Sequence, residues 1–341
     1  MAQFLHHDAD FRDLLDTVAQ RSPLKAVAMV EKDYWIVHTL WGLQQVGLPF
    51  QFKGGTSLSK AYGLTQRFSE DIDLIVDHTA WPAAAQNPLP SVDADKWHSS
   101  GKQAIAQRKS FWTEMVQRLN VPDVLLELDH TADEDYRNIK VVATYPGHHV
   151  ATFAAPASAI KPFVLVELTY TAPGRGAAPP SIQRAVTSYT HGYVATTGVF
   201  AANPSLNTSL ERVSCVHPLV TLLEKLDAIT KRYARDTHFD ASAFTRHYGD
   251  AACIIRQIAQ CEALPYSLPE LHRQMLDAKQ LRRHVTDKDP AFLLTDPEKA
   301  SKVRAAHDAL SPMFWAEQMT LDEAIDTIRE WLAGAPVGQP T

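Results

Sequence analysis

Two aspartates on one predicted strand are the residues of this sequence best suited to do chemistry. Asp71 and Asp73 alternate with aliphatic residues in RFSEDIDLIVD, residues 67–77. Side chains two residues apart on a strand project from the same face, so these two carboxylates lie side by side. They repel each other unless a cation lies between them, and a hard divalent ion with oxygen ligands is the natural partner. The spacing therefore predicts a metal site, with Mg²⁺ as the usual ion where phosphates are substrates.

A glycine turn precedes this strand. Gly54, Gly55, Thr56 and Ser57 follow a short predicted strand and begin a predicted helix. Paired glycines let the backbone approach a ligand closely, and a helix N-terminus supplies N–H donors and the positive end of a dipole. The two hydroxyls add donors for phosphate oxygens. The spacing of a P-loop is absent. The turn and the acids together therefore predict a nucleoside-triphosphate site of a type other than the P-loop.

A third acid is expected, because in two-metal chemistry one ion activates the attacking oxygen and the other steadies the leaving group. Glu167 lies in the apolar run FVLVELTY, whereas Glu127 and Asp129 lie in VLLELD. Each is an acid between apolar neighbours on a predicted strand. The residues alone leave this choice open.

The elements that position these residues divide into two parts. Strands are predicted at 49–55, 67–77, 123–130, 138–145 and 161–170, and helices at 24–46, 56–63 and 100–119. Residues 78–98 and 172–180 are loop-like, the first of them an insertion. After about residue 205 the pattern is helical, with helices predicted at 217–234, 243–260, 268–284, 297–314 and 321–334. This segregation predicts an α+β fold, with one domain at 1–204 and a helical domain at 205–341.

The composition excludes several classes of protein. With 341 residues, of which 45% are hydrophobic and 21% charged, the chain predicts a globular protein of about two domains and excludes wholesale disorder. The net charge of -6 excludes a uniformly basic surface, but local basic patches are compatible with it. Basic runs at 231–235 and 282–284 could steer an RNA backbone or be solvated helix ends.

The compartment and the metal class also follow from residue types. The N-terminus lacks the features of a signal peptide, and no apolar run approaches the roughly 20 residues of a membrane span. Three cysteines, Cys215, Cys253 and Cys261, are typical of reduced thiols. We therefore predict a soluble cytoplasmic protein without a membrane partner. None of the fifteen histidines has the spacing of a known zinc motif, so no zinc site is predicted.

Three segments closely resemble the AbiEii/AbiGii toxin family, which includes MenT-type toxins. They are EKDYWIVHTLWGL at 31–43, FKGGTSLSKAYGL at 52–64 and RFSEDIDLIV at 67–76. The family belongs to the DNA polymerase β-type nucleotidyltransferase superfamily, and the resemblance covers about residues 25–255. It implies a mixed sheet with flanking helices, followed by a C-terminal helical domain.

The resemblance also implies roles for single residues of the first domain. Residues Gly54 to Ser57 occupy the phosphate-binding turn, Asp71 and Asp73 are the metal acids, and Ser69 occupies the small hydroxyl position before them. The segment VELTYTAPGRG at 166–176 is similar to the strand that carries the family's further acid. The resemblance therefore favours Glu167 over Glu127 and Asp129 as the third metal ligand.

Two further positions come from the helical region. Lys225, in LEKL, matches a helical lysine that would contact the triphosphate. Asp250, in RHYGD, would face the site from the helical domain. The family often has an aromatic residue before the Glu-Lys pair, and here that residue is Leu223.

The implied activity is Mg²⁺-dependent transfer of a nucleoside monophosphate from a nucleoside triphosphate to an acceptor hydroxyl, with two ions bound. The favoured acceptor is RNA, at the 3′ end of tRNA, and a toxin of this kind would have a cognate antitoxin. Two alternatives stay open. One is a phosphotransferase that moves the γ-phosphate to a protein hydroxyl, and the other is a non-catalytic family member that binds a partner.

Overall fold

The computed structural model describes residues 4–76, 99–131, 133–153, 160–170 and 178–334, and every structural statement below concerns these residues. The predicted insertion at 78–98 lies wholly outside them. Most of the predicted loop at 172–180 does so as well.

A seven-stranded mixed sheet carries the predicted acids. Its strands are β1 (Phe50–Lys53), β2 (Asp71–Val76), β3 (Leu125–Asp129), β4 (Asn138–Thr144), β5 (Val164–Tyr170), β6 (Ser181–Val186) and β7 (Leu210–Val216). The spatial order is β3-β4-β5-β2-β1-β7-β6. Strand β2 pairs antiparallel with β1 and parallel with β5, and both neighbours protect it from solvent at its edges. The predicted mixed sheet is confirmed.

Helices surround the sheet in the first part of the chain and dominate the rest. Those in the first part are α1 (Phe11–Arg21), α2 (Val27–Gln45), α3 (Gly54–Lys60), α4 (Lys102–Arg118), α5 (Tyr189–Ala195) and α6 (Val199–Ala202). Those in the second are α7 (Pro218–Tyr233), α8 (Arg246–Arg256), α9 (Leu268–Asp277), α10 (Pro290–Leu293), α11 (Pro297–Asp308) and α12 (Leu321–Gly334). The C-terminal helical region was also predicted correctly.

The chain forms two compact units. The first comprises residues 1–61, 68–174 and 183–215, and the second comprises 62–67, 175–182 and 216–341. Strand β7 lies beyond residue 204, where the prediction put the start of the helical domain. It belongs almost wholly to the first unit because it pairs with β1, where Phe52 faces Cys215. The first compact unit therefore extends past residue 204 and includes nearly all of β7.

Helix α2 is buried on nearly all sides in the first unit, and its charged residues are paired. Glu31 accepts the backbone N–H groups of His148 and His149, each at 2.7 Å. Asp33 accepts the N–H of Tyr189 at 2.8 Å and pairs with the Lys60 ammonium. A buried charge is tolerated only when it is paired. These paired residues therefore fix the position of α2.

Candidate active site

The pairing of β2 with β5 places the predicted acids on one face of the sheet. Asp73 is the cross-strand partner of Glu167 in the parallel register, and Asp71 lies two residues earlier on the same face as Asp73. Glu127 and Asp129 lie on β3, and β4 separates that strand from β5. Of the three candidate acids, Glu167 alone is on a strand adjacent to the aspartates. The register therefore favours Glu167 on geometric grounds.

Asp71 offers an oxygen that a cation could use. Its Oδ1 atom is buried and accepts no hydrogen bond from any residue that the structure describes. The Lys161 ammonium lies 3.7 Å from this oxygen, beyond hydrogen-bond distance. An unsatisfied carboxylate oxygen at a buried position is costly. Asp73 offers a second carboxylate on the same face of β2, and oxygen ligands of this kind suit a hard divalent ion such as Mg²⁺.

Glu167 binds a lysine in this structure. The ammonium of Lys140, its cross-strand partner on β4, lies 3.1 Å from Glu167 Oε1. Both side chains are partly exposed, at 41% and 38%, so water screens the pair and its contribution to stability is small. Glu167 can therefore exchange Lys140 for another cation at little cost.

Gly54 lies against one of the strand aspartates, Asp73. Its φ of +77° lies in the left-handed region that favours glycine. A Cβ built at this position would overlap the carboxylate of Asp73, lying 2.7 Å from its Cγ. The backbone of the turn and the Asp73 side chain are therefore in direct contact, and any side chain at residue 54 displaces one of them.

The hydroxyl groups of the turn point into the protein. Thr56 donates its hydroxyl hydrogen to the backbone carbonyl of Asp71, at 2.5 Å, and its oxygen lies 3.0 Å from the Ser69 hydroxyl. Thr56 and Ser57 are 0% and 1% exposed. The side chain of Thr56 thus fastens the start of α3 to the first residue of β2. It follows that the backbone groups of the turn, rather than these hydroxyls, are the groups available to a phosphate.

A buried ion pair between Lys32 and Glu70 holds the backbone of Lys161 in place. The Lys32 ammonium binds the Glu70 carboxylate and donates to the Lys161 carbonyl at 2.6 Å. Glu70 also accepts the N–H of Lys161 at 2.9 Å. Burial lowers the pKa of Lys32, and Glu70 opposes this shift. Sequence reasoning missed Lys161 and Lys140, because no motif marks them and only strand pairing and loop packing bring them to the acids.

Lys225 and Asp250 bind each other inside the second unit. Lys225 Nζ donates to Asp250 Oδ2 at 2.8 Å. Arg67 adds two further bonds to the same carboxylate, from Nε and Nη2, both at 2.8 Å. Burial alone would raise the pKa of Asp250, but Arg67 and Lys225 together hold it well below its usual range. The three side chains form a buried charge cluster that joins α7 and α8 to the segment 62–67.

His247 completes the surroundings of Lys225. Its Nδ1 atom lies 3.5 Å from Lys225 Nζ. Burial lowers the pKa of His247 well below its usual value, and the neighbouring Lys225 and Arg246 charges lower it further. A neutral imidazole is therefore the form that fits beside the ammonium. The predicted contact of Lys225 with a triphosphate stays a prediction.

The two basic runs of the sequence meet in the second unit. Burial lowers the pKa of Lys231, and the nearby Arg282 and Arg235 charges lower it further. Arg282 donates its backbone N–H to Asp227 Oδ1 at 3.1 Å, and Asp227 lies one turn before Lys231 on α7, so residues from 231–235 and 282–284 contribute basic side chains to one region. Arg235 and Arg282 are exposed. Separately, no helix in the described part of the chain has the length and apolar character needed to cross a membrane.

The family follows from comparison with known proteins. The family model for the nucleotidyl transferase AbiEii toxin of type IV toxin–antitoxin systems matches residues 39–331. The chain belongs to the AbiEii family. This match confirms the family to which the sequence motifs pointed. It supports a nucleotidyltransferase of a toxin–antitoxin system as the general class.

A solved structure is also similar to this chain. A crystal structure of a candidate nucleotidyltransferase from H. pylori is similar to this chain with a TM-score of 0.37 and 15% sequence identity. The likeness covers 87% of this chain and 90% of that one. No curated protein matches the chain.

Proposed function

We propose that this AbiEii family member transfers a nucleoside monophosphate from a nucleoside triphosphate to an acceptor hydroxyl. The observation that carries the proposal is the alignment of Asp71, Asp73 and Glu167 on one sheet face, with the buried Asp71 Oδ1 left without a hydrogen bond from any described residue. Three carboxylates at such a place suit a cation-dependent reaction of phosphates.

Asp71 and Asp73 would hold Mg²⁺, and Glu167 would join them after leaving Lys140. When bound, the ion would neutralise charge on the phosphate oxygens and favour departure of pyrophosphate. The backbone of the Gly54–Ser57 turn would receive the phosphates. In the proposed reaction the acceptor oxygen forms a bond to the α-phosphorus. The bond between the α-phosphorus and the oxygen that bridges it to the β-phosphorus breaks, and pyrophosphate leaves. In the alternative arrangement Glu167 stays off the ion, and its carboxylate accepts the hydroxyl proton.

We further propose RNA as the acceptor, with the 3′ end of tRNA favoured. The shared positive region of Lys231, Arg235 and Arg282 supports this choice, because a phosphate backbone is attracted by clustered basic side chains. Lys225 would contact the triphosphate and Asp250 would hold Lys225 in place. The family suggests a cognate antitoxin as a further partner.

A label-transfer assay tests the activity. Purified protein is incubated with Mg²⁺, total tRNA and each of the four nucleotides labelled at the α-phosphate, with one further lane of γ-labelled ATP. We expect α-label in RNA and none from γ-labelled ATP. Retention of γ-label alone would favour the phosphotransferase alternative. Transfer in no lane would contradict RNA nucleotidyl transfer.

Two matched variants test the assignment of the third acid. Glu167→Gln and Glu127→Gln make the same chemical change on two strands of one sheet, β5 and β3. We expect Glu167→Gln to lower the rate by at least about 10²-fold, the lower end of the range for general acid–base catalysis, and Glu127→Gln to leave it unchanged. Equal losses in both variants would contradict the assignment.

A further inference from the structure

A second group of potential metal ligands lies away from the acids of β2 and β5. His6 Nε2 and His7 Nε2 lie 3.1 and 3.0 Å from the same atom, Asp123 Oδ2. These three ligand atoms all lie within 4.8 Å of one another, and no other three His, Cys, Asp or Glu side chains of the described residues converge in this way. We propose that His6, His7 and Asp123 form a Zn²⁺ site.

The spacing of the ligand atoms suits a tetrahedral ion. Zinc binds imidazole nitrogen and carboxylate oxygen at about 2.0–2.1 Å, so ligand atoms on a tetrahedron are about 3.3–3.4 Å apart. The separations of 3.1 and 3.0 Å differ from this by a few tenths of an ångström. Small side-chain rotations would admit the ion between the nitrogens and the oxygen.

The position of His6 is fixed before an ion arrives. Its Nδ1 lies 2.7 Å from the hydroxyl of the buried Tyr34, and its ring stacks on Phe4 with centroids 5.3 Å apart. Metal-binding histidines commonly use their second nitrogen in this way, which orients the ring. The side chain of His6 is only 5% exposed, so burial restricts it further.

Asp123 is also held in place. Its neighbour Pro122 offers its carbonyl to His38 Nε2 at 2.9 Å, which ties this loop to α2. Asp123 has a φ of 60°, a conformation that aspartate tolerates better than most residues. His7 and Asp123 are 41% and 40% exposed, so a water molecule can reach the fourth position. With one ligand buried and two partly exposed, the site is held in shape and is open to an ion from solvent.

The donor set separates this site from the magnesium site proposed on β2 and β5. Two imidazoles and one carboxylate suit zinc and related transition metals, whereas Mg²⁺ prefers oxygen ligands alone. A bound ion would link the 3₁₀ turn Leu5–His7 to the loop before β3. Because it would bind the folded protein and bridge distant segments, it would also stabilise the first unit.

The test uses the full chain after treatment with EDTA. Zn²⁺ is titrated calorimetrically, and Co²⁺ serves as a spectroscopic probe because tetrahedral cobalt has intense visible absorption. We expect one ion per chain, visible Co²⁺ bands that Zn²⁺ abolishes, and a thermal midpoint that Zn²⁺ raises. Failure of the wild-type protein to bind Zn²⁺, or ready displacement of bound Zn²⁺ by excess Mg²⁺, would overturn the proposal.

Variants locate the ion. His7→Ala removes an exposed ligand, and Asp123→Asn keeps both shape and backbone tolerance. Each should weaken Zn²⁺ binding at least about 10-fold, the lower end of what even indirect partners of a metal ligand contribute. His238→Asn is the control, because His238 is an exposed histidine that also has a positive φ. Unchanged binding in His7→Ala and Asp123→Asn would refute the site. None of these measurements depends on transferase activity, so their outcome is independent of the proposed reaction.

Discussion

Substituting Gly54 by alanine tests whether the glycine turn holds the carboxylate of Asp73 in place. Residue 54 has a φ of +77°, and an alanine Cβ there would overlap the carboxylate of Asp73. The left-handed conformation costs a residue with a Cβ about 1–2 kcal/mol, and the stiffer unfolded chain of alanine offsets part of this. Forcing Asp73 off its rotamer adds about 1 kcal/mol. We expect Gly54→Ala to lower the free energy of unfolding by about 2 kcal/mol.

Gly63→Ala is the matched control for this change. Gly63 also has a positive φ, +66°, but a Cβ built there has no atom of the described residues within 4 Å. It should therefore lose about 1 kcal/mol, from backbone conformation alone. Urea unfolding followed by circular dichroism measures both losses, and the difference between the variants reports the displacement of Asp73.

The two variants should differ more in activity than in stability. A misplacement of about 1 Å near reacting groups can cost about 10²-fold in rate. We therefore expect Gly54→Ala to lose at least this factor in the label-transfer assay, while Gly63→Ala keeps nearly wild-type activity. If Gly54→Ala unfolds like Gly63→Ala and transfers label at the wild-type rate, the turn does not position Asp73.

Three further substitutions probe the buried charge cluster of Asp250 and the contacts around the acids of β2 and β5. Asp250→Asn leaves Arg67 and Lys225 buried without their counter-charge and should cost about 3–5 kcal/mol in urea unfolding. Because the folded-state pKa of Asp250 is depressed, the wild-type contribution is present above the unfolded pKa of about 4 and is lost as the pH falls below it, so the variant should lose less stability on acidification. Thr56→Val removes the donor to the Asp71 carbonyl and should cost about 1–3 kcal/mol by the same unfolding measurement. Lys140→Ala breaks an exposed pair and should change stability by less than about 1 kcal/mol, yet lower the Mg²⁺ concentration needed for half-maximal label transfer; an unchanged requirement would contradict competition between Lys140 and the ion.

The sequence could predict the parts of the fold that depend on local pattern. The alternation in β2 identified the strand and the face of its two aspartates, and helical periodicity placed α2, α7 and the C-terminal helices. Strand β7 escaped prediction. Its residues Leu210, Val213 and Cys215 are buried at irregular spacing, and its position depends on pairing with β1, which is distant in the sequence. Helix α1 and strand β6 were missed as well.

For the candidate site, the sequence by itself determined the turn at Gly54 and the pair Asp71 and Asp73, because glycine tolerance and period-two alternation are local properties. Only the tertiary structure decided which further acid lies beside that pair, since the register of β2 against β5 is a non-local choice. It also decided that the Thr56 hydroxyl faces inward, and that His6 and His7 meet Asp123. Contacts between segments far apart in the chain are set by packing and strand pairing, and residue spacing within one segment does not encode them.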